Sequence, residues 1–402
     1  MKINSHTPDS CTTCTACTIQ CPVAAVTQKF LGPKLSGPAM ERFRCIEQEY
    51  DLSLEYCSNC KNCDITCPSG VPISTLNVLA KDNYYKTHRH TLRDWIIAHI
   101  GALHKLAGSV ASLANLGMSN PISRWVFGKL GFTAGMQLPR YSPQTFLTKF
   151  KDIKQRAYPD KVAFFPGCYI QYNDPQVGLD LIAVMQANQY EVLVPANLEC
   201  CGTPLVSNGY LADAQENALH NIRILQELAA QGIPILTCCT SCGLTLKREY
   251  QELFDIPGMH MVAAQTYDAM EFLLELESKG RLNTALHPVA AHYIYHAPCH
   301  LRAQGLGRPA LELLDMIPDL KVTDADAGCC GIAGSYGFKS EKQDIAMAVG
   351  ENLFEKIRAS GADGVLSDCG TCRLQISQAT GYKTFHPITI LRQAYGEGRS
   401  SD

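Results

Sequence analysis

Three cysteine landmarks occur twice in this chain, in the same order and at nearly the same distance. Cys168 closes the strand-like run K-V-A-F-F-P-G, and Cys299 closes A-H-Y-I-Y-H-A-P 131 positions later. Cys200-Cys201-Gly202 returns as Cys329-Cys330-Gly331, shifted by 129, and the C-x2-C pair Cys239 and Cys242 returns as Cys369 and Cys372, shifted by 130. A single period shared by three landmarks is the signature of a tandem duplication, so both halves must adopt one fold. The first half alternates short apolar runs (V-A-F-F-P, Y-E-V-L-V-P, I-P-I-L-T) with helical stretches over Leu179 to Asn188, Ala212 to Gln231 and Leu244 to Leu253. That alternation predicts an α/β arrangement with parallel strands. The cysteines fall directly after the strands, at the sheet edge where ligands bind in open α/β folds.

Each half thus offers five thiols: Cys168, Cys200, Cys201, Cys239 and Cys242, then Cys299, Cys329, Cys330, Cys369 and Cys372. Five is one more than a tetrahedral zinc ion or a single iron-sulfur cube requires, and vicinal cysteines can share or bridge metals. The glycine after each vicinal pair lets the backbone turn tightly. Soft thiolates also select zinc, so a zinc staple and an iron-sulfur centre both fit this donor set. A bare redox dithiol fits less well, because a separate C-x2-C reaches the same edge.

Upstream, the spacing C-x2-C-x2-C-x3-C-P occurs twice, as Cys11 to Cys21 and Cys57 to Cys67. This is the ligand run of a two-cluster bacterial ferredoxin, in which the fourth cysteine of each run serves the other cluster. Two [4Fe-4S] clusters are expected, one on Cys11, Cys14, Cys17 and Cys67 and the other on Cys57, Cys60, Cys63 and Cys21. Zinc needs two pairs rather than two quartets ending in Cys-Pro. A disulfide scaffold belongs to small secreted chains, and Met1 to Thr7 shows no charged-then-apolar leader, so reduced thiols in a cytoplasmic setting are expected. Of the twenty cysteines only Cys45, expected to be a buried apolar residue, and Cys238, without an assignable role, remain.

The chain of 402 residues, 46% hydrophobic, is long enough for several cores. Residues 1–80 are expected to form a mainly helical two-cluster ferredoxin-like domain. Residues 81–160 form a basic helical linker, and 161–290 and 291–402 are the two α/β halves. The formal net charge of -3 argues against nucleic acid as a partner. The charge is uneven: Lys81 to Asp160 carries twelve Lys or Arg against four Asp, a local +8. In this segment Leu92, Ile96, Ile100, Leu103, Ala107, Val110 and Ala114 recur at helical spacing, predicting one apolar face. Both tryptophans, Trp95 and Trp125, lie here. An amphipathic hairpin on an anionic membrane and a linker packed on its own domains both satisfy the pattern. The uncharged run from Leu106 to Ser123 contains Pro121 and is a poor spanning helix.

The C-x31-C-C-G-x36-C-x2-C pattern after Cys168 and its partner after Cys299 resemble the cysteine-rich CCG domain of the heterodisulfide reductase family. That family holds non-cubane iron-sulfur clusters on five such cysteines. Ferredoxin quartets followed by two CCG domains resemble the iron-sulfur subunits of glycolate oxidase, lactate-utilisation proteins and anaerobic glycerol-3-phosphate dehydrogenase. The stretches K-V-A-F-F-P-G-C, C-C-G-T-P-L-V-S-N-G, H-A-P-C-H, C-C-G-I-A-G-S-Y-G-F-K and H-P-I-T-I-L are most similar to the iron-sulfur (C) subunits of the last. The resemblance implies flavin-containing partner subunits that oxidise sn-glycerol 3-phosphate, electron transfer to menaquinone, and peripheral attachment to the cytoplasmic face of the inner membrane. It leaves open membership of a glycolate or lactate oxidase, and a catalytic role in cleaving a disulfide. No G-x-G-x-x-G follows a strand, so the flavin is expected on another polypeptide. His296 and His300 flank Cys299; a proton donor to quinone is one reading, structural histidines at a strand end the preferred one. Gly331 to Ser335 lacks the Lys-Ser/Thr of a phosphate loop.

Overall fold

The computed structural model describes residues 8–47, 50–133, 135 and 137–396. The side chain of Cys45 lies outside the described residues. Two four-stranded parallel sheets form the duplicated region. The first comprises β1 (Asp160–Phe164), β2 (Tyr190–Leu193), β3 (Ile235–Thr237) and β4 (Thr266–Asp268), and the second β5 (Ala291–Tyr295), β6 (Leu320–Asp324), β7 (Gly364–Leu366) and β8 (Thr384–Phe385). Their orders are β2-β1-β3-β4 and β6-β5-β7-β8, the same topology twice. In both, the chain runs outward from the first strand to the second and then crosses back, so the strand order reverses beside β1 and β5. Val162 stands opposite Val192 in one sheet and Tyr293 opposite Val322 in the other. These are the β-branched and aromatic residues that suit strands covered on both faces.

The halves share a core. Val162 and Phe164 of β1, Leu181 and Met185 of the Pro175–Ala187 helix, Tyr293 and Tyr295 of β5, and Ile388 and Leu391 of the closing Pro387–Ala394 helix are buried in one apolar cluster. The Pro175–Ala187 and Pro387–Ala394 helices pack on each other, which joins the first half to the end of the chain. Fully buried Asp180 accepts there from Thr389 Oγ1 at 2.6 Å and Arg392 Nη1 at 3.0 Å.

The N-terminal unit is mainly helical, with Met40–Glu47 and Ile73–Tyr85 flanking the cysteine motifs. The basic segment differs from its predicted single face. It forms four short helices, Leu92–Ala98, Ile100–Ser109, Ala111–Ser119 and Pro121–Lys129, with breaks at His99, Val110 and Asn120. Each break rotates the apolar stripe, so Leu92 and Val110 are exposed while Ile97, Ala98 and His104 are buried. The first two helices pack on the first half: His99 Nε2 meets Asp213 at 3.0 Å and Lys105 pairs with Glu199 at 2.5 Å. Arg93 forks onto Glu341 of the second half. The last two helices turn apolar side chains outward, with Leu113, Leu116, Ile122 and Trp125 each 65–73% exposed. Among the described residues no helix is long and apolar enough to cross a membrane.

Candidate metal centres

The two N-terminal motifs fold as near copies. Between their cysteines the backbone is left-handed at matching places, Thr13 and Thr15 in one, Asn59 and Lys61 in the other, with φ of 57°, 64°, 51° and 64°. Each such non-glycine residue costs about 1 kcal/mol. Loops that accept this cost wind their N–H groups and sulfurs around a common centre. The closing cysteine of each run receives a backbone N–H on sulfur, from Ala24 to Cys21 at 3.5 Å and from Val71 to Cys67 at 3.4 Å.

The sulfurs cross between the motifs. Cys17 has Cys11 and Cys67 as charged-form neighbours, and these pack with Cys63 under Val71, Ile73 and Leu76. Cys21 instead lies beside Cys57, and Cys63 has Cys60, Cys57 and Cys21 around it. Cys14 stands at the exposed rim. Burial pushes the Cys21 thiol up to about 11 and raises Cys60 and Cys63 as well. Thiols held that high ionise together only around a cationic metal centre. A cavity lined by Cys21, Cys57, Cys60 and Cys63 opens there, and both side-chain polar atoms of Asn59 are buried without a partner. Four sulfurs around such a cradle fit a [4Fe-4S] cube.

In the duplicated halves the thiols form two matching rows. Cys168 Sγ lies 3.8 Å from Cys200 Sγ, Cys200 adjoins Cys201, Cys201 lies 3.5 Å from Cys242, and Cys242 adjoins Cys239. The other row runs Cys299, Cys329, Cys330, then Cys372 at 3.0 Å, then Cys369. All ten sit beyond the carboxyl ends of their strands. Gly202 and Gly331 turn at φ of +92° and +89°, which a residue with a Cβ would adopt only with strain. Cys238 points away from its row into the shared core, because successive residues leaving β3 face opposite ways.

The rows have different surroundings. Cys60 of the second N-terminal motif packs against Cys299 and Cys329. The Cys57–Cys63 loop is clasped from both sides: Lys61 Nζ pairs with Glu249 of the first half at 3.0 Å, and His300 Nε2 meets the Asn59 carbonyl at 3.2 Å. Burial works to lower Lys61, but Glu249, Glu252 and Asp64 outweigh it and hold the ammonium charged. The first row meets the Ile100–Ser109 helix instead. A Cβ on Gly101 would lie 2.5 Å from Cys200 Cβ, so that helix forms the wall of the site. Behind it His104 is wedged against Tyr141 and Tyr172, pushed down to about 4 by burial and hence neutral.

The rows also touch each other. His300 Nδ1 lies 2.8 Å from Ser241 Oγ, inside the first half's C-x2-C turn. Its counterpart in the repeat, Tyr169, covers Gly370 in the second half's turn so closely that a Cβ there would lie 2.3 Å away. His300 is thus held from two sides, by partners 59 and 241 residues away, beyond what local sequence can display. His296 is also more than a strand-end residue, since its ring lies with Cys330 and Cys372. Lys61 and Glu249 join the site from the fold alone, and no local pattern announces their pairing.

A profile described as a 4Fe-4S dicluster domain matches residues 8–71, and one described as a cysteine-rich CCG domain matches 162–247 and 293–377. The C subunit of the anaerobic glycerol-3-phosphate dehydrogenase of Escherichia coli K12 is 36% identical over 397 residues, spanning 98% of this chain and 100% of its own. This chain belongs to the family of that C subunit. The B subunit of the fumarate reductase (CoM/CoB) of Methanothermobacter marburgensis is 31% identical over 246 residues, 59% of this chain and 47% of its own. Lactate utilization protein A of Shouchella clausii is 28% identical over 228 residues, 54% and 89% respectively. A hypothetical protein from Helicobacter pylori aligns over 92% of this chain and 69% of its own at 14% identity, with a TM-score of 0.39, too loose a likeness to carry an argument.

Proposed function

We propose that this chain is the electron-carrying and membrane-attaching subunit of an anaerobic sn-glycerol-3-phosphate dehydrogenase complex, receiving electrons from a flavin-containing partner and delivering them to menaquinone. Cys11, Cys14, Cys17 and Cys67 would hold one [4Fe-4S] cube, and Cys57, Cys60, Cys63 and Cys21 the other. The five-thiol rows would hold the metal centres of the CCG domains, and the divisions at residues 80, 160 and 290 would bound the functional units. When bound, the clusters supply one-electron steps; the residues of this chain bring them close, keep water out and fix their order.

The observation that carries this reading is the packing of Cys60 against Cys299 and Cys329. It sets a ferredoxin-type cysteine directly against the second row. Lys61 and His300 hold the loop that presents Cys60, and the His300–Ser241 contact continues toward the first row. Substitution Cys60→Ser is expected to cut substrate-driven quinone reduction at least ~100-fold in the assembled complex, while substrate still reduces the partner's flavin. Quinone reduction surviving at wild-type rate would sink the path. Turnover of a simple disulfide with a low-potential donor would favour the disulfide-reductase alternative.

Attachment to the cytoplasmic face of the inner membrane is supported by the exposed Leu113, Leu116, Ile122 and Trp125 beside Arg124 and Lys129. Ile122→Glu with Trp125→Glu is expected to reduce sedimentation with anionic vesicles at least ~10-fold. Undiminished binding would return these helices to a purely structural role.

A further inference from the structure

The duplication supplies an internal control, because every feature of one row can be compared with its counterpart. The residue three positions before the first cysteine differs: Phe165 in the first half, His296 in the second. Both are buried. Phe165 has only carbon to offer its site, whereas His296 has a ring nitrogen. That nitrogen, with Cys330 Sγ and Cys372 Sγ, forms a group whose donor atoms all lie within 4.8 Å of one another. His296 Nε2 is buried and has no hydrogen-bond partner. Its backbone N–H donates to Leu366 O at 2.9 Å, which holds the residue against β7 with the ring at the sulfur row.

One ring nitrogen of His296 lies near two thiols and its buried Nε2 has no hydrogen-bond partner, a costly arrangement unless something else engages the ring. We propose that His296 is a nitrogen donor to the metal centre of the second CCG domain, whereas the first centre is held by sulfur alone. This rests on the reading that the second row holds a metal. A neutral imidazole would join the five thiolates of the second row as a further donor without adding negative charge.

The test uses the full chain, purified anaerobically and reconstituted with iron and sulfide, in natural-abundance and 15N-histidine forms. Pulsed EPR of the paramagnetic state is expected to show a strong coupling from a directly bonded nitrogen that changes with the isotope. That coupling should vanish in His296→Phe, which copies the first half, with the cube signals retained. Only weak histidine couplings in the wild type, or a strong coupling that survives the substitution, would overturn the assignment. The isotope comparison on wild type decides even if the variant fails to fold. If zinc loads instead, X-ray absorption showing one nitrogen in its shell supports the proposal, and an all-sulfur shell refutes it. Iron sufficient only for the cubes, with no zinc, would remove the metal reading of this half together with the inference; a sulfur-only metal centre would remove the inference alone.

Discussion

The first CCG half turns its sulfur row toward the Ile100–Ser109 helix, and the second turns its row toward Cys60. Both rows have five thiols in one order on one sheet topology, so the cysteines alone do not distinguish them. Their neighbours do. A duplicated site can therefore acquire two settings without changing a cysteine: one copy faces the second N-terminal cysteine motif and the other the segment that leads outward to exposed apolar helices. His300 and Tyr169, the counterparts that cross between the rows, keep the two in contact.

The strongest way to break this asymmetry is at the clasp. Lys61→Met would leave Glu249, fully buried, without its cation, a loss of about 3–5 kcal/mol. Adding Glu249→Leu should restore most of that stability in denaturant unfolding. A double variant no more stable than Lys61→Met would mean the pair is not what secures the loop. Gly101→Val sharpens the comparison from the other side. Its side chain would collide with Cys200, so a destabilisation of about 1–3 kcal/mol is expected. The change should alter the metal content or spectrum of the first row while the second keeps its own. Equal disturbance of both would show that the rows respond as one.

The smallest effect concerns the seam between the halves. Burial raises the Asp268 carboxyl, and Asp368 beside it raises it further. Asp268 Oδ2 and Asp368 Oδ1 both lack partners among the described residues. The folded state thus retains a proton that the unfolded chain releases. Its contribution to stability is complete below the ordinary carboxylate range and is lost as pH rises beyond it. Asp268→Asn keeps an acceptor for the Met270 N–H and needs no proton, so it should stabilise the protein at neutral pH by about 1 kcal/mol and flatten the pH dependence of its melting temperature. An unchanged pH profile would place the shared proton elsewhere.

What sequence reveals here depends on the distance over which a signal acts. The cysteine quartets and the 130-residue repeat are local spacings, legible because metal geometry dictates them. The β1, β2, β3 and β5 strands are legible as short apolar runs. β4 is not: Thr266-Tyr267-Asp268 is a three-residue edge strand between two helices, and nothing in its composition separates it from them. The periodicity over Leu92 to Ala114 runs through three helices as if they were one, since His99 and Val110 are not residues that announce a break. Cys238 resists assignment from sequence because its role follows from the direction it leaves β3. The Lys61–Glu249 clasp and the Cys60 contact join residues nearly two hundred or more positions apart, and only the fold brings them together.

The helix Pro387–Ala394 closes the core against Pro175–Ala187, with Asp180 tied to Thr389 and Arg392. During synthesis, the first half therefore waits for a helix made some two hundred residues later before its interior is sealed. The second N-terminal motif waits as well, for Cys299 and Cys329 to arrive beside Cys60. The shelter of Cys60 is thus tied to residues made some 240 positions later: a chain interrupted before Cys299 would leave the second N-terminal motif open to oxidation.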